Sequence, residues 1–227
     1  EDDMGKFDSN YTDRGYMMNY RTPELRTAEK KRVMQFRVSM DEIKPEIWRR
    51  IQVPFDMNFW DLHVAIQDAM VWQDYHLHQF DIKGKWKRKS VLIGIPDFDG
   101  YDDIQEVYPC WEIPVRDHFN DLGVTARYLY DYGDCWYHTV LLEGYLVKMK
   151  GTYYPVCTGG ARACPPADCG GVIGYNELLR TLKDPEHEDY RSSREWVGDW
   201  KPERFDPEAV EFDRPYARWR YAFLRGS

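Results

Sequence analysis

The residues able to do chemistry fall in three short stretches. His76 and His78 open HLHQFDIK (76–83), and Asp131, Asp134, Trp136 and His138 lie in YDYGDCWYH (130–138). Cys157, Cys164 and Cys169 fall in CTGGARACPPADCGG (157–171). Imidazole titrates near neutrality, and a neighbouring carboxylate fixes its tautomer, so His78 and His138 are candidate bases or metal ligands with Asp131 or Asp134 as orienter. His76, Trp136 and Asp168 are further binding candidates. The same residues also fit a satisfied hydrogen-bond network holding sheet and hairpin in register, because burying them unpaired is costly.

The cysteines are spaced C-x6-C-x4-C, and the chain contains no C-x-x-C pair. Zinc sites normally use such short pairs, since a tight turn brings two thiolates to one ion. Gly159-Gly160 and Gly170-Gly171 nonetheless allow a backbone tight enough to gather three sulfurs around zinc, with Cys110, Cys135, His138 or another histidine as fourth ligand. A Cys157–Cys164 or Cys164–Cys169 disulfide is the oxidised alternative. A rigid Pro165-Pro166 turn with small packed thiols is the other. No H-E-x-x-H, G-x-S-x-G or phosphate-binding G-x-x-x-x-G-K-[ST] motif is present.

Composition narrows the partners. The 227 residues carry a formal charge of −8, which argues against broad, sequence-independent binding to nucleic acid. Two local basic segments stand apart from that balance: 83–89, with Lys83, Lys85, Lys87, Arg88 and Lys89 around Trp86, and 214–220, with Arg214, Arg218 and Arg220 beside Tyr216 and Trp219. Each suits a phosphate backbone or a protein partner, and equally a basic edge strand or an amphipathic terminal segment. No apolar run is long enough for a membrane span, and EDDMGKFDSN lacks a signal-peptide pattern, so the chain is expected to be soluble and cytoplasmic. Five cysteines, an odd number, fit free thiols or metal ligation better than a secreted disulfide scaffold.

These groups need elements to hold them. Residues 1–32 read as a polar extension, and Arg225-Gly226-Ser227 as a tag scar. VMQFRVSM (33–40) alternates as a half-buried strand, and Ile47 to Val53 alternates again. Asn58 with Asp61 caps a helix whose stripe is Leu62, Ala65, Ile66, Ala69 and Met70. Strands follow at 76–83 and in KWKRKSVLIGI, then an acidic loop from Pro96 to Pro109 and a short helix from Val115 to Leu122. Gly133-Asp134 predicts a two-residue hairpin turn that sets Asp131 opposite Trp136 and Leu129 opposite His138, all on one face. A helix is expected over Tyr175–Leu182, with Asp184-Pro185-Glu186 and Asp206-Pro207-Glu208 as later helix starts. This order predicts a single α+β domain, a mostly antiparallel sheet with packed helices and a C-terminal helical segment. The main domain spans 33–212, and an Arg/aromatic tail spans 213–227.

YLYDYGDCWYHTVLLE, the PP-x-D-C-GG-x-x-GY run, HLHQF and WVGDWKPERFDPEAVEF together resemble the plasmid pRiA4b ORF-3-like family, whose members are often labelled TnpR-like passenger proteins of mobile elements. The family commonly has Glu after the two prolines; here Ala167 stands in that place, leaving Asp168 as the only acid. The resemblance implies a compact α+β domain and carries over no specific chemistry. The leading expectation is a non-enzymatic binding or adaptor domain with a groove between the first helix, the HLHQF strand and the hairpin, capped by the cysteine loop. The alternatives are a metal-dependent hydrolase acting on nucleic acid or nucleotides through the His/Asp cluster, and a DNA-binding protein.

Overall fold

The computed structural model describes residues 31–83, 90–96 and 106–224. The basic segment beyond Lys83, nearly all of the polar extension and the terminal Arg-Gly-Ser lie outside them. The alternating segments form β1 (Arg32–Met40), β2 (Trp48–Pro54), β3 (His78–Ile82), β4 (Val91–Gly94), β5 (Val107–Pro109), β6 (Thr125–Tyr130), β7 (Trp136–Val147) and β8 (Val156–Ala161). They make one eight-stranded sheet in the order β5-β4-β3-β6-β7-β1-β2-β8. Only the β4–β5 pair is parallel. The fold is α+β.

Alternation gives the sheet two chemically distinct faces. Phe36, Val38, Ile51, Val53, Phe80, Ile82, Tyr128, Val140 and Leu142 are buried on one face. On the other, Arg50 forks onto Glu143 at 2.6 and 2.9 Å, and Gln35 reaches the same carboxylate at 3.0 Å.

Helix α1 (Phe59–Met70) crosses the apolar face, and every one of its residues is buried. Its start is a full capping box: Asn58 Oδ1 accepts from the Asp61 amide at 2.8 Å, and Asp61 Oδ2 accepts from the Asn58 amide at 3.2 Å. Its outer side is covered by α5 (Pro215–Leu224), whose Trp219 and Phe223 pack around Trp111, with Phe223 also against Trp60. The segment read as an Arg/aromatic tail therefore puts Trp219 into the core at 2% exposure. Arg218 is held between Asp68 and Asp213 at 2.7 and 2.6 Å.

At the other end of α1 lies a buried cation. Arg49, on β2, is 1% exposed. Its Nε donates to the Ala69 carbonyl at 2.8 Å, Nη1 to the carbonyls of Trp48 and Ala161 at 2.8 and 3.0 Å, and Nη2 to Cys164 Sγ at 3.1 Å. Phe205 stacks on the guanidinium at 3.6 Å. A charge at a helix C-terminus meets the negative end of the helix dipole, so carbonyl oxygens here take the place of a carboxylate partner.

Several boundaries differ from expectation. The short helix α2 stops at Val115–His118. Helix α3 (Gly171–Thr181) begins earlier than predicted, and α4 (Tyr190–Val197) starts behind Asp189, with Asp184-Pro185-Glu186 forming turns. Asp206 caps only a 3-10 turn, Pro207–Ala209. The first part of the supposed cysteine loop is the edge strand β8. Its glycines are covered by aromatic side chains: a Cβ on Gly160 would stand 2.3 Å from the Phe205 ring. Such covering restores packing that glycine cannot supply.

Arg49→Lys keeps the charge but cannot reach these acceptors together, so it is expected to cost about 3 kcal/mol. Urea unfolding followed by tryptophan fluorescence measures this. A loss below about 1 kcal/mol would contradict the assigned role.

Candidate functional site

A groove of about 700 Å³ opens where α1 ends, between the 71–77 connection, the β6–β7 hairpin, the cysteine loop and the 200–210 strap. Trp72, Tyr130 and Trp136 form its aromatic wall, with Trp72 stacked on Tyr130 at 5.2 Å and tilted on Trp136 at 5.9 Å. Pro165, Pro166, Ala167 and Asp168 line the opposite side. The loop is fixed there by two indole donors: Trp72 Nε1 to the Pro165 carbonyl at 3.0 Å and Trp200 Nε1 to the Cys164 carbonyl at 2.9 Å.

The hairpin does not turn at Gly133-Asp134. β6 and β7 pair Tyr130 with Trp136 and Tyr128 with His138, and the loop runs from Asp131 to Cys135. Left-handed φ falls on Asp131 (60°) and Cys135 (53°). Asp131 Oδ1 accepts from the amides of Gly133 and Asp134 at 2.9 and 3.2 Å, building a wider turn from its own side chain. The register therefore shifts by one residue on β6. Tyr128 and Tyr130, not Leu129 and Asp131, share the inner face with Trp136 and His138.

This turn leaves Asp131 Oδ2 facing the groove mouth. His76 Nε2 lies 3.5 Å from it and 3.4 Å from Asp168 Oδ1. The three ligand atoms lie within 4.8 Å of one another. Residue type alone singles out all three; the structure makes them one group. Asp134 acts elsewhere, at the hairpin tip, where its Oδ2 accepts from the Gly170 amide at 3.2 Å and docks the cysteine loop. The contact needs glycine, because a Cβ on Gly171 would stand 2.4 Å from the Asp134 carbonyl oxygen.

His78 and His138 lie deeper, each at 0% exposure. Burial alone holds the His138 imidazole neutral, with its pKa pushed down to about 4. Its Nδ1 donates to the Trp136 carbonyl at 3.1 Å. His78 stacks on His63 of α1 with centroids 3.4 Å apart and 8° between planes. Burial and that neighbour push its pKa well below the usual value. His63 in turn bridges Tyr128 Oη at 2.8 Å and Asp74 Oδ1 at 2.5 Å, and Gln67 Nε2 donates to the same hydroxyl at 2.9 Å. Sequence reasoning missed His63, Gln67 and Asp74. The available signal was a polar i, i+4 pair on a helix otherwise apolar along that side.

The cysteines disperse. Cys157 lines a separate depression beside Tyr153 and Tyr154, whereas Cys164 lines the groove. All five thiols are free. Burial pushes the Cys164 thiol up to about 11; burial and then Asp134 push the Cys169 thiol up to about 12, so both are neutral. Among the described residues, neither convergent group of metal-ligating side chains contains a cysteine.

Two outcomes follow from these environments. In the unfolded chain, histidine binds a proton below about pH 6.5, whereas folded His138 stays neutral to about 4. The unfolded state therefore holds more protons in that window. Stability is complete above about pH 6.5 and declines as pH falls, by about 3 kcal/mol at most for this group. Urea titrations across the window should show the decline, and His138→Asn, which does not titrate there, should lessen it, leaving the part due to His78. A wild-type profile with no slope between about pH 6.5 and 4.5 would contradict the neutral burial. Separately, Gly171→Ala should lower stability by about 2 kcal/mol or more through clash and lost left-handed freedom. Calorimetry checks this, and an unchanged midpoint would show the contact to be dispensable.

Comparisons with known proteins agree with this architecture. The uncharacterized protein y4hQ of Sinorhizobium fredii is 34% identical over 170 residues, covering 73% of this chain and 81% of the relative. The crystal structure of the protein of unknown function MM3350 from Methanosarcina mazei Go1 is 41% identical with a TM-score of 0.71, over 80% of this chain and 98% of that one. The plasmid pRiA4b ORF-3-like protein family matches residues 32–213, which take in the sheet, the hairpin, the cysteine loop and the groove. The chain belongs to the plasmid pRiA4b ORF-3-like family.

Proposed function

We propose that this domain is a binding module whose groove receives a cationic side chain, lysine or arginine, presented by a partner polypeptide. The observation that carries the reading is the pairing of an aromatic wall with an acidic mouth: Trp72, Tyr130 and Trp136 inside, Asp131 Oδ2 and Asp168 outside. An ammonium or guanidinium is attracted to the face of an aromatic ring, and a desolvated position beside carboxylates strengthens that attraction. The volume of about 700 Å³ suits a side chain with flanking backbone. Val71 and Tyr75 on the rim are 74% and 73% exposed, which fits a protein surface rather than a phosphate backbone. The formal charge of −8 favours a basic partner in the same sense.

Binding is favoured over hydrolysis because His78 and His138 are enclosed in the core, and a general base must come within hydrogen-bond reach of its proton. Protein is favoured over DNA because Arg218 is committed to Asp68 and Asp213, and Trp219 to the core. A zinc ion at Cys157, Cys164 and Cys169 would require those thiols to converge, and they form no convergent ligand group among the described residues.

Short synthetic peptides with one central lysine or arginine test the proposal against norleucine counterparts, read by tryptophan fluorescence. The cationic peptides should bind saturably and more weakly in high salt. Asp131→Asn combined with Asp168→Asn keeps the turn acceptor and should weaken binding at least about tenfold. Equal binding of the norleucine peptides, or indifference to the double variant, would refute the reading.

A further inference from the structure

The core behind the groove holds a second convergent group that the groove does not use. His63, Asp74 and His78 bring one ligand atom each within 4.8 Å of one another. The His63 and His78 side chains are fully buried, and the Asp74 side chain is 6% exposed. Both ring nitrogens of His78 lack a hydrogen-bond partner among the described residues. Buried polar atoms in native proteins are almost always satisfied, and one imidazole with neither nitrogen partnered is an unusual cost. The Cys110 thiol, also fully buried, lies within electrostatic range of Asp74, whose charge raises its pKa further after burial has done so.

We infer that His63, Asp74 and His78 form a binding site for a transition-metal dication, zinc being the best fit to two imidazoles and one carboxylate. Zinc takes histidine nitrogens and carboxylate oxygens in tetrahedral sites, and three protein ligands leave a fourth position for water. The surroundings supply the outer contacts such a site needs. A metal on His63 Nε2 requires Nδ1 to carry a proton and donate it, and Tyr128 Oη stands 2.8 Å away to accept. Tyr128 must then donate its own proton. Gln67 Oε1, buried and without a partner of its own, reaches that hydroxyl by rotation of the amide. A bound ion would part His63 Nε2 from Asp74 Oδ1, which stand 2.5 Å apart, and His78 would have to turn out of its stack to aim a nitrogen at it. Asp74 sits in the 71–77 connection, at φ 57°, so the same segment lines the groove and closes the metal site.

The test uses the full chain, stripped with chelator and titrated with zinc chloride by calorimetry, with metal content and thermal midpoint measured in parallel. One zinc per chain should bind and raise the midpoint. His78→Phe should reduce zinc affinity at least about 100-fold while leaving the metal-free midpoint equal or higher, because it replaces an unpartnered polar ring with an apolar one. Asp74→Asn should weaken zinc binding in the same direction, and Asp168→Asn should leave it unchanged. Substitution with cobalt gives an independent reading, a visible spectrum of tetrahedral type lost in His78→Phe. Zinc binding that survives His78→Phe, zinc binding lost in Asp168→Asn, or no zinc binding at all would each overturn the inference.

Discussion

One buried cation sets the terms for the rest of this fold. Arg49 offers donors to the end of α1, to the backbone of β2 and β8, and to the Cys164 sulfur of the cysteine loop, under the ring of Phe205. Enclosing a guanidinium is expensive unless its hydrogen bonds are made, so each of those segments must be in place together. The Pro-Pro loop then lies against Trp72 and Trp200, which donate to its carbonyls, and no disulfide holds it.

The hairpin supplies the second anchor. Asp131 divides its carboxylate, one oxygen shaping the turn and the other facing His76. Asp134 receives the Gly170 amide, and glycine is required where the two loops touch. The residues that carry the family resemblance, YDYGD and D-C-GG-x-x-GY, are thus the two sides of one contact. Their conjunction reflects how the groove is closed, and Ala167 takes no part in that contact, which runs from the Gly170 amide to Asp134.

Much of the fold was legible because its signals are local. Period-two runs gave β1, β2, β3, β6 and β7, and Asn58 with Asp61 gave the start of α1. Gly133-Asp134 misled because a glycine permits a tight turn without requiring it, and the Asp131 side chain stabilises a longer one. β8 was hidden because its glycines look like a loop until Phe205 and Trp48 are seen covering them. The site followed the same pattern. His76, Asp131 and Asp168 were identifiable by type, but nothing in their spacing reveals that they meet. His63 and Gln67 form a polar i, i+4 pair on their helix, but the pair carries no local sign of its partners, Asp74 and Tyr128.

The place of β1 in the sheet has a consequence for how the chain acquires its shape. β1 lies between β2, its neighbour in sequence, and β7, so that Val38 pairs with Val140 and Met40 with His138. Closing a loop of that size precedes any reward from the pairing, which places the domain among slow-folding, high-contact-order topologies. During synthesis, the β1–β2 hairpin and α1 leave the ribosome before residues 136–147, so the edge of β1 that β7 will pair stays open until those residues emerge. Over that interval the nascent chain presents an unpaired strand edge, the kind of surface that holding chaperones recognise.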